Sequence, residues 1–149
     1  MVYRSNVRAM LTAIVLAGLT VGIAQARNDI LHLSINDALQ KPEAKTKLET
    51  DIKFYFGTQK APKPTKSFGV FTSNKKTNFA NKSDKDGCDY AFLSAMLSLR
   101  DRARTEGGNA VINITSYYKK NTFTSETEFE CGAGAIVGGV ALQGEVVKL

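Results

Sequence analysis

The stretch ECGAGAIVGGVALQG, residues 130–144, decides how the C-terminal half of this 149-residue chain folds. It holds five of the twelve glycines, and such a stretch can be a phosphate-binding loop, part of a membrane helix or a strand of small residues. Gly132 and Gly134 match the start of a G-x-G-x-x-G loop, but Val137 stands where the third glycine belongs and no Gly-Lys-Ser/Thr follows. The pattern therefore argues against a phosphate-binding loop.

A membrane helix is also disfavoured, because the apolar run is shorter than the roughly 20 residues that a spanning helix needs. We therefore predict a strand whose small side chains let a long helix cross it closely. Gly138-Gly139 is predicted to form a bend or bulge that leads into a last strand over the segment VALQGEVVKL.

Two segments on either side of a polar turn alternate between apolar and polar residues, as strands do. They are NAVINITSYYKK, from residue 109, and SETEFECGAGAIV, from residue 125. If they form a hairpin with the loop Asn121–Thr124, Lys119 lies opposite Glu126 and Ile114 lies opposite Cys131. A slip by one residue would bury three glutamates, so the alternation specifies this register and directs Cys131 towards the core.

The segment CDYAFLSAMLSLRDRARTE, which begins at Cys88, predicts the longest helix. Its apolar residues recur at helical spacing and form one stripe for the core: Cys88, Phe92, Ala95, Met96, Leu99 and Ala103. Asp84 or Asp86 is expected to cap the start of this helix, and Gly107-Gly108 supplies a left-handed end.

The first 26 residues resemble a secretory leader rather than part of the folded chain. Arg4 and Arg8 precede an apolar run, and the run ends at Ala24-Gln25-Ala26, which is an A-x-A cleavage signature. A retained N-terminal anchor is the alternative. We predict cleavage after Ala26, a periplasmic location, and a mature domain over residues 27–149 with no further membrane-spanning segment.

The two cysteines, Cys88 and Cys131, are predicted to form one disulfide bond. Cys88 begins the helix that must cover the sheet face to which Cys131 points, so both sulfur atoms lie in one layer. Export would bring the chain to a compartment where disulfides persist. Two separate buried thiols are the alternative, because free cysteine is common in protein cores.

The remaining patterns complete a prediction of one α+β domain. Ser34 and Asp37 indicate the start of a short helix over Ile35–Gln40, and Pro42 begins a second one. The segments DIKFYFG and SFGVFTS alternate as strands, and NKKTNFANKSDKDG is predicted to be a loop. The expected fold is an antiparallel sheet of about five strands, covered on one face by one long helix, with the short N-terminal helices outside.

Basic residues concentrate in the first half of the mature chain. Without Arg4 and Arg8 the chain has 18 basic and 14 acidic residues, a net charge of +4. Five lysines, interleaved with phenylalanines, form a possible patch for an anionic partner: Lys60, Lys63, Lys66, Lys75 and Lys76. In an exported protein, an anionic envelope component or an envelope protein is a more available partner than nucleic acid, which we do not expect; a solubilising loop is the simpler interpretation.

The residues of common catalytic sites are scarce. His32 is the only histidine, so no catalytic site, cofactor site or histidine-rich metal site is predicted, and we expect no enzyme. Glu126, Glu128 and Glu130 recur at strand spacing and are weak candidates for binding a cation, although a solvated strand face explains them equally simply.

The segment from Gly87 to Lys120, with a helix followed by Asn-Ala-Val and then a strand, resembles the envelope stress-sensor lipoprotein domain of the Rcs phosphorelay. It is also similar to small heavy-metal-binding-type domains. In the sensor, a cysteine just before the helix is bonded to a cysteine in the later hairpin, which implies the same pairing for Cys88 and Cys131. The sensor has a second disulfide and a lipid anchor, which this sequence does not provide.

Over nearly its whole length the chain resembles a group of small exported bacterial proteins that share the patterns KFYFG, NKKTN, SYYKKN and TEFEC. Members are often labelled as an excinuclease ATPase subunit, an activity that would require the Walker loop that these residues lack. We expect a non-catalytic periplasmic binding or envelope-associated, stress-sensing-like module. The alternatives are a nucleotide-dependent DNA repair subunit, as that label implies, and a cation-binding module.

Overall fold

A computed structural model describes residues 26–149, so the predicted leader lies almost wholly outside the described residues. The helices are α1 (Ile35–Gln40), α2 (Pro42–Leu48) and α3 (Asp84–Glu106). The strands are β1 (Asn28–Ser34), β2 (Lys53–Phe56), β3 (Lys66–Asn78), β4 (Ala110–Ser116), β5 (Glu128–Gly134) and β6 (Val137–Lys148). The α+β class, the two short N-terminal helices and the single long helix are as predicted.

The sheet is built around β6, which is its last strand in the sequence. β3 pairs with β6 along one whole side, while β5 and β4 share the other side, β5 near the start of β6 and β4 near its end. β1 extends the sheet beyond β5, and β2 extends it beyond β4. The prediction was an antiparallel sheet of about five strands. The described residues form six strands, and the sheet is mixed rather than antiparallel, because β2 runs parallel to β4.

Helix α3 covers one face of this sheet and buries the predicted stripe. Phe92 is 1% exposed, and its ring stacks on Phe129 of β5 and on Phe56 of β2. The helix is capped by Ser83, whose Oγ accepts a hydrogen bond from the Asp86 backbone N–H, so the prediction of an aspartate cap is wrong. Gly107 ends the helix at a φ of +82°, as predicted.

The predicted hairpin of β4 and β5 does not form. β5 pairs with β1 and β6 instead, and only Ser116 forms a bridge across the connection, to Phe123. A bulge between Ile112 and Thr115 turns β4, so that Ile114 faces α3 while Ile112 packs on the opposite face. The expected pairs of Lys119 with Glu126 and of Ile114 with Cys131 are therefore wrong.

Strand β3 is longer than predicted, because it includes the NKKTN segment that was expected to be a loop. A bulge at Gly69, where φ is +105°, also breaks its alternation. Phe68 and Phe71 therefore both pack against the core, whereas Val70, which was expected on the face of Phe68, is 61% exposed.

Gly132 and Gly138 leave room for aromatic side chains that do not belong to α3. A Cβ on Gly138 would overlap the ring of Phe79, and one on Gly132 would overlap the ring of Tyr118. The prediction that α3 requires these small residues is therefore wrong. Gly138-Gly139 is not a bend either, because both residues lie inside β6, and the turn comes before it, at residues 135–136.

Candidate functional site

The two faces of the sheet are different environments. On the α3 face, Cys88 and Cys131 are fully buried and form a disulfide bond, with their Cα atoms 5.8 Å apart. The bond joins the first turn of α3 to the middle of β5, as the sequence predicted. It closes the covered face, so the candidate site has to be sought on the other side of the sheet or at its edges.

A groove of about 390 Å³ opens on the other face, where β1, β5 and β6 meet. We call it the glycine groove. Its floor is the backbone of Gly132 and Gly134 of β5 and of Gly138 and Gly139 of β6. Its walls come from the start of β1 and the residue before it, from β3, from the turn after β4 and from the first residue of β6: Arg27, Asn28, Asn74, Lys76, Tyr118, Lys119 and Val137.

The walls of the glycine groove carry three basic side chains. Arg27, Lys76 and Lys119 line it, and no acidic residue is among the described residues that do. Arg27 is already engaged, because its Nε lies 2.5 Å from Asp29 Oδ2 and its NH2 contacts Asp84. Both hydrogen bonds raise the pKa of the Arg27 guanidinium, and the one to Asp84 has the larger effect. Within residues 26–149, the ion pairs include neither Lys76 nor Lys119.

The turn Tyr118–Lys120 brings Lys119 to the groove through unusual backbone geometry. Lys119 and Lys120 have φ values of +50° and +63°, a region that side chains with a Cβ rarely occupy. Tyr118 occupies the space above Gly132, and Lys119 Nζ lies 5.6 Å from the centre of its ring. Two successive left-handed residues cost on the order of 1–2 kcal/mol each, and such strain concentrates at functional sites.

The five lysines of the proposed anionic-partner patch do not converge. Lys66 pairs with Lys148, whereas Lys76 pairs with Gly139, nine residues away along β6. At about 3.3 Å per residue these ends of the sheet are roughly 30 Å apart. Lys60 and Lys63, in the connector before β3, belong with Lys66 at the far end. Of the five, only Lys76 lines the glycine groove.

The three glutamates have separate surroundings. Glu126 Oε1 accepts a hydrogen bond of 2.5 Å from Thr58 Oγ1. Glu130 Oε1 lies 3.1 Å from His32 Nε2, and the His32 ring stacks on Phe123. Among residues 26–149, no three His, Cys, Asp or Glu side chains are grouped closely enough to hold a metal ion. Cation binding by Glu126, Glu128 and Glu130 stays a prediction of the sequence alone.

A second cavity, of about 330 Å³, lies between the short helices and the start of α3. At its base the buried Asp89 receives two lysine ammonium groups, since its Oδ2 is 2.9 Å from the Nζ atoms of both Lys41 and Lys85. Burial lowers the pKa of Lys41, but its hydrogen bonds to Asp89 and Asp86 outweigh this and raise the pKa overall. The pairs made by Lys41, which lies between α1 and α2, link the short helices to α3, whereas the Lys85–Asp89 pair lies within α3.

Sequence reasoning missed the glycine groove, because it placed Lys119 opposite Glu126 in a hairpin. The pair Tyr117-Tyr118 followed by two lysines does carry a signal, since basic and aromatic residues together are typical of surfaces that bind anions. β1 was missed too, although Leu31, Leu33 and Ile35 alternate in the way of a strand that leads into α1.

Comparison of the chain with family models, curated proteins and solved structures returned no match. None of the helices in residues 26–149 has both the length and the apolar character needed to cross a membrane. Evidence about function therefore comes from the described residues themselves.

Proposed function

We propose that this chain is a non-catalytic binding module of the bacterial cell envelope, and that its glycine groove binds anionic groups of an envelope component. One observation carries the proposal. Lys76 and Lys119 project into the same groove without carboxylate partners in the described part of the chain, beside the bare backbone of four glycines. An anionic group would supply the missing counter-charges.

The polar groups around the two lysines favour the same chemistry. Asn28, Asn74 and Tyr118 also line the groove, and their amide and hydroxyl groups can donate hydrogen bonds to oxygen atoms of a ligand. The left-handed conformation of Lys119 and Lys120 gives further support, because strain of this kind persists where the surroundings hold a functional side chain in place. Phosphoryl and carboxylate groups are the anions that such donors recognise.

The predicted leader and the disulfide support an envelope location. A disulfide that is buried under α3 is typical of proteins that fold in an oxidising compartment. The phosphate groups of lipids and the anionic sugars of polysaccharides are abundant in the envelope. The groove is open on the sheet surface, which suits a group displayed on a larger assembly.

The proposal is tested by sedimentation of the purified mature chain with vesicles that contain phosphatidylglycerol, and with vesicles of phosphatidylcholine alone. We expect binding to the anionic vesicles only. The variant Lys76→Gln with Lys119→Gln should bind roughly 30-fold more weakly, since each lysine contributes about 1 kcal/mol near an anionic surface and 1.4 kcal/mol is tenfold. Inorganic phosphate should compete if a free phosphoryl group is enough.

The matched control is Lys60→Gln with Lys63→Gln. It removes the same charge at the other end of the sheet, so a response to net charge alone would weaken both variants equally. Equal weakening, or equal binding of the parent chain to both kinds of vesicle, would refute a site in the glycine groove.

A further inference from the structure

We infer that removal of the leader completes the glycine groove, because cleavage after Ala26 would place the α-ammonium group of Arg27 at its wall. The inference rests on the proposed function and on the predicted cleavage site. It adds a condition to that function, which is that the processed chain binds the anion more tightly than the precursor does.

The position of Arg27 at the groove is fixed by the strand that it precedes. β1 begins at Asn28, which pairs with Gly134, and both Arg27 and Asn28 line the groove. The Arg27 carbonyl oxygen would lie 3.5 Å from a Cβ built on Gly134, so its backbone borders the floor directly. A new chain terminus at this residue is thus anchored by β1 rather than free in solution.

The guanidinium of Arg27 contributes little to the charge that a ligand would meet, since it is paired with Asp29 of β1 and Asp84 of α3. The three basic side chains at the groove, Arg27, Lys76 and Lys119, and the two carboxylates that pair with Arg27 have a summed formal charge of +1. The α-ammonium group would raise this sum to +2. Cleavage therefore adds one positive charge to a wall where Arg27, Asp29 and Asp84 together carry a formal charge of −1.

The α-amino group of Arg27 would make anion binding depend on pH in a recognisable way. An α-amino group has a reference pKa of about 7.7–8.0, far below the reference value for a lysine side chain, so it is the first amine to lose its charge as the pH rises. Its contribution to anion binding is present below about pH 8 and disappears above it.

The experiment compares two forms of residues 27–149 that differ at one atom group, a free α-amine and an N-acetylated one. Binding to phosphatidylglycerol vesicles is measured from pH 6.5 to 9.5. We expect the free amine to bind about fivefold more tightly at pH 6.5, and the two forms to converge above pH 8. A chain that begins at Ala24, with its amine three residues away, should behave as the acetylated form.

Identical binding of the free and acetylated forms at pH 6.5, in a chain that still responds to Lys76→Gln with Lys119→Gln, would overturn this inference and leave the proposed function standing. Loss of that lysine response would instead refute the proposed function. Mass spectrometry of the protein from the envelope should find Arg27 as the first residue, and any other first residue would also overturn the inference.

Discussion

The two faces of the sheet differ in how they are covered. The face under α3 is dry and cross-linked, and its side chains Phe92, Phe129 and Met96 are at most 1% exposed. The opposite face carries the glycine groove, where bare backbone borders Lys76 and Lys119, for which residues 26–149 supply no ion-pair partner. The difference is one of covering: side chains and a disulfide close the face under α3, whereas the groove leaves glycine backbone uncovered on the other face.

Glycine itself illustrates the contrast. Gly138 leaves room for Phe79, which is 4% exposed and is held from the other side by Gly87 of α3. Gly132 leaves room for Tyr118, which is only half-buried and borders the groove. The same residue type is thus a packing device on the closed face and part of a possible binding surface on the open face.

The largest expected effect comes from removing the disulfide of the closed face. The bond spans 43 residues, and the chain-entropy model gives such a loop about 4 kcal/mol. We expect Cys88→Ala with Cys131→Ala to lower the free energy of unfolding by about that amount in urea denaturation. The parent chain treated with reductant should show the same loss, and an unchanged urea midpoint there would contradict the prediction.

A methyl group on Gly138 should have the next largest effect. It would collide with Phe79, whose ring cannot retreat because it also touches Gly87. Overpacking of this kind typically costs about 1–3 kcal/mol, so Gly138→Ala should lower the urea midpoint clearly. Restored stability in Gly138→Ala combined with Phe79→Leu would confirm that the ring is the obstacle.

Removal of the α3 cap should cost less. Ser83 Oγ accepts the Asp86 N–H at 3.1 Å, and replacing such a cap by alanine typically costs about 1 kcal/mol. We expect Ser83→Ala to lower the free energy of unfolding by that amount, while Ser83→Asp, which can also cap, stays close to the parent. A parent-like Ser83→Ala chain would show that the cap is dispensable.

On the open face, Gly132→Ala should change stability by less than about 0.5 kcal/mol, because Tyr118 is half-exposed and can swing away from the new methyl group. The contrast with Gly138→Ala in the same urea assay is the sharpest test of the difference between the faces. A loss as large as that of Gly138→Ala would mean that both faces are packed alike.

The smallest effect is expected from acid. Hydrogen bonds from Arg104 hold the pKa of Asp51 below its usual range, and those from Lys41 and then Ser83 do so for Asp86. Stability from these carboxylates is complete above the ordinary aspartate pKa of about 3.9 and is lost as the pH falls through the lower folded values. Asp51→Asn should therefore flatten the acid end of a stability–pH curve, and an unaltered curve would argue against the Arg104 pair.

The sequence was sufficient for features that depend on local periodicity. The stripe of α3 and the inward direction of Phe129, Cys131 and Ala133 follow from spacing alone. Cys131 points at Cys88 whichever strand lies beside β5, so the disulfide prediction is confirmed although the hairpin that suggested it is wrong. The face of a strand to which a residue points is set by the local alternation of residues, whereas the identity of the neighbouring strand is not.

The remaining errors share a cause, which is backbone conformations that side-chain patterns do not report. Asn113, at a φ of +52°, lies in the bulge that turns β4, and Lys119 and Lys120 take the chain away from the hairpin path. Gly69 reverses the faces of β3 in the same way. The glycine groove depends on these irregularities, so no alternation of residues could have predicted it.

The position of β6 has a consequence for how the molecule comes into being. Three strands border β6, and all of them precede it in the chain. A ribosome delivers residues in order, so β3, β4 and β5 cannot pair with β6 until residues 137–148 have emerged. Until then the sheet lacks the strand that joins its two halves, β1 with β5 and β2 with β4, and β3 lacks the strand with which it pairs.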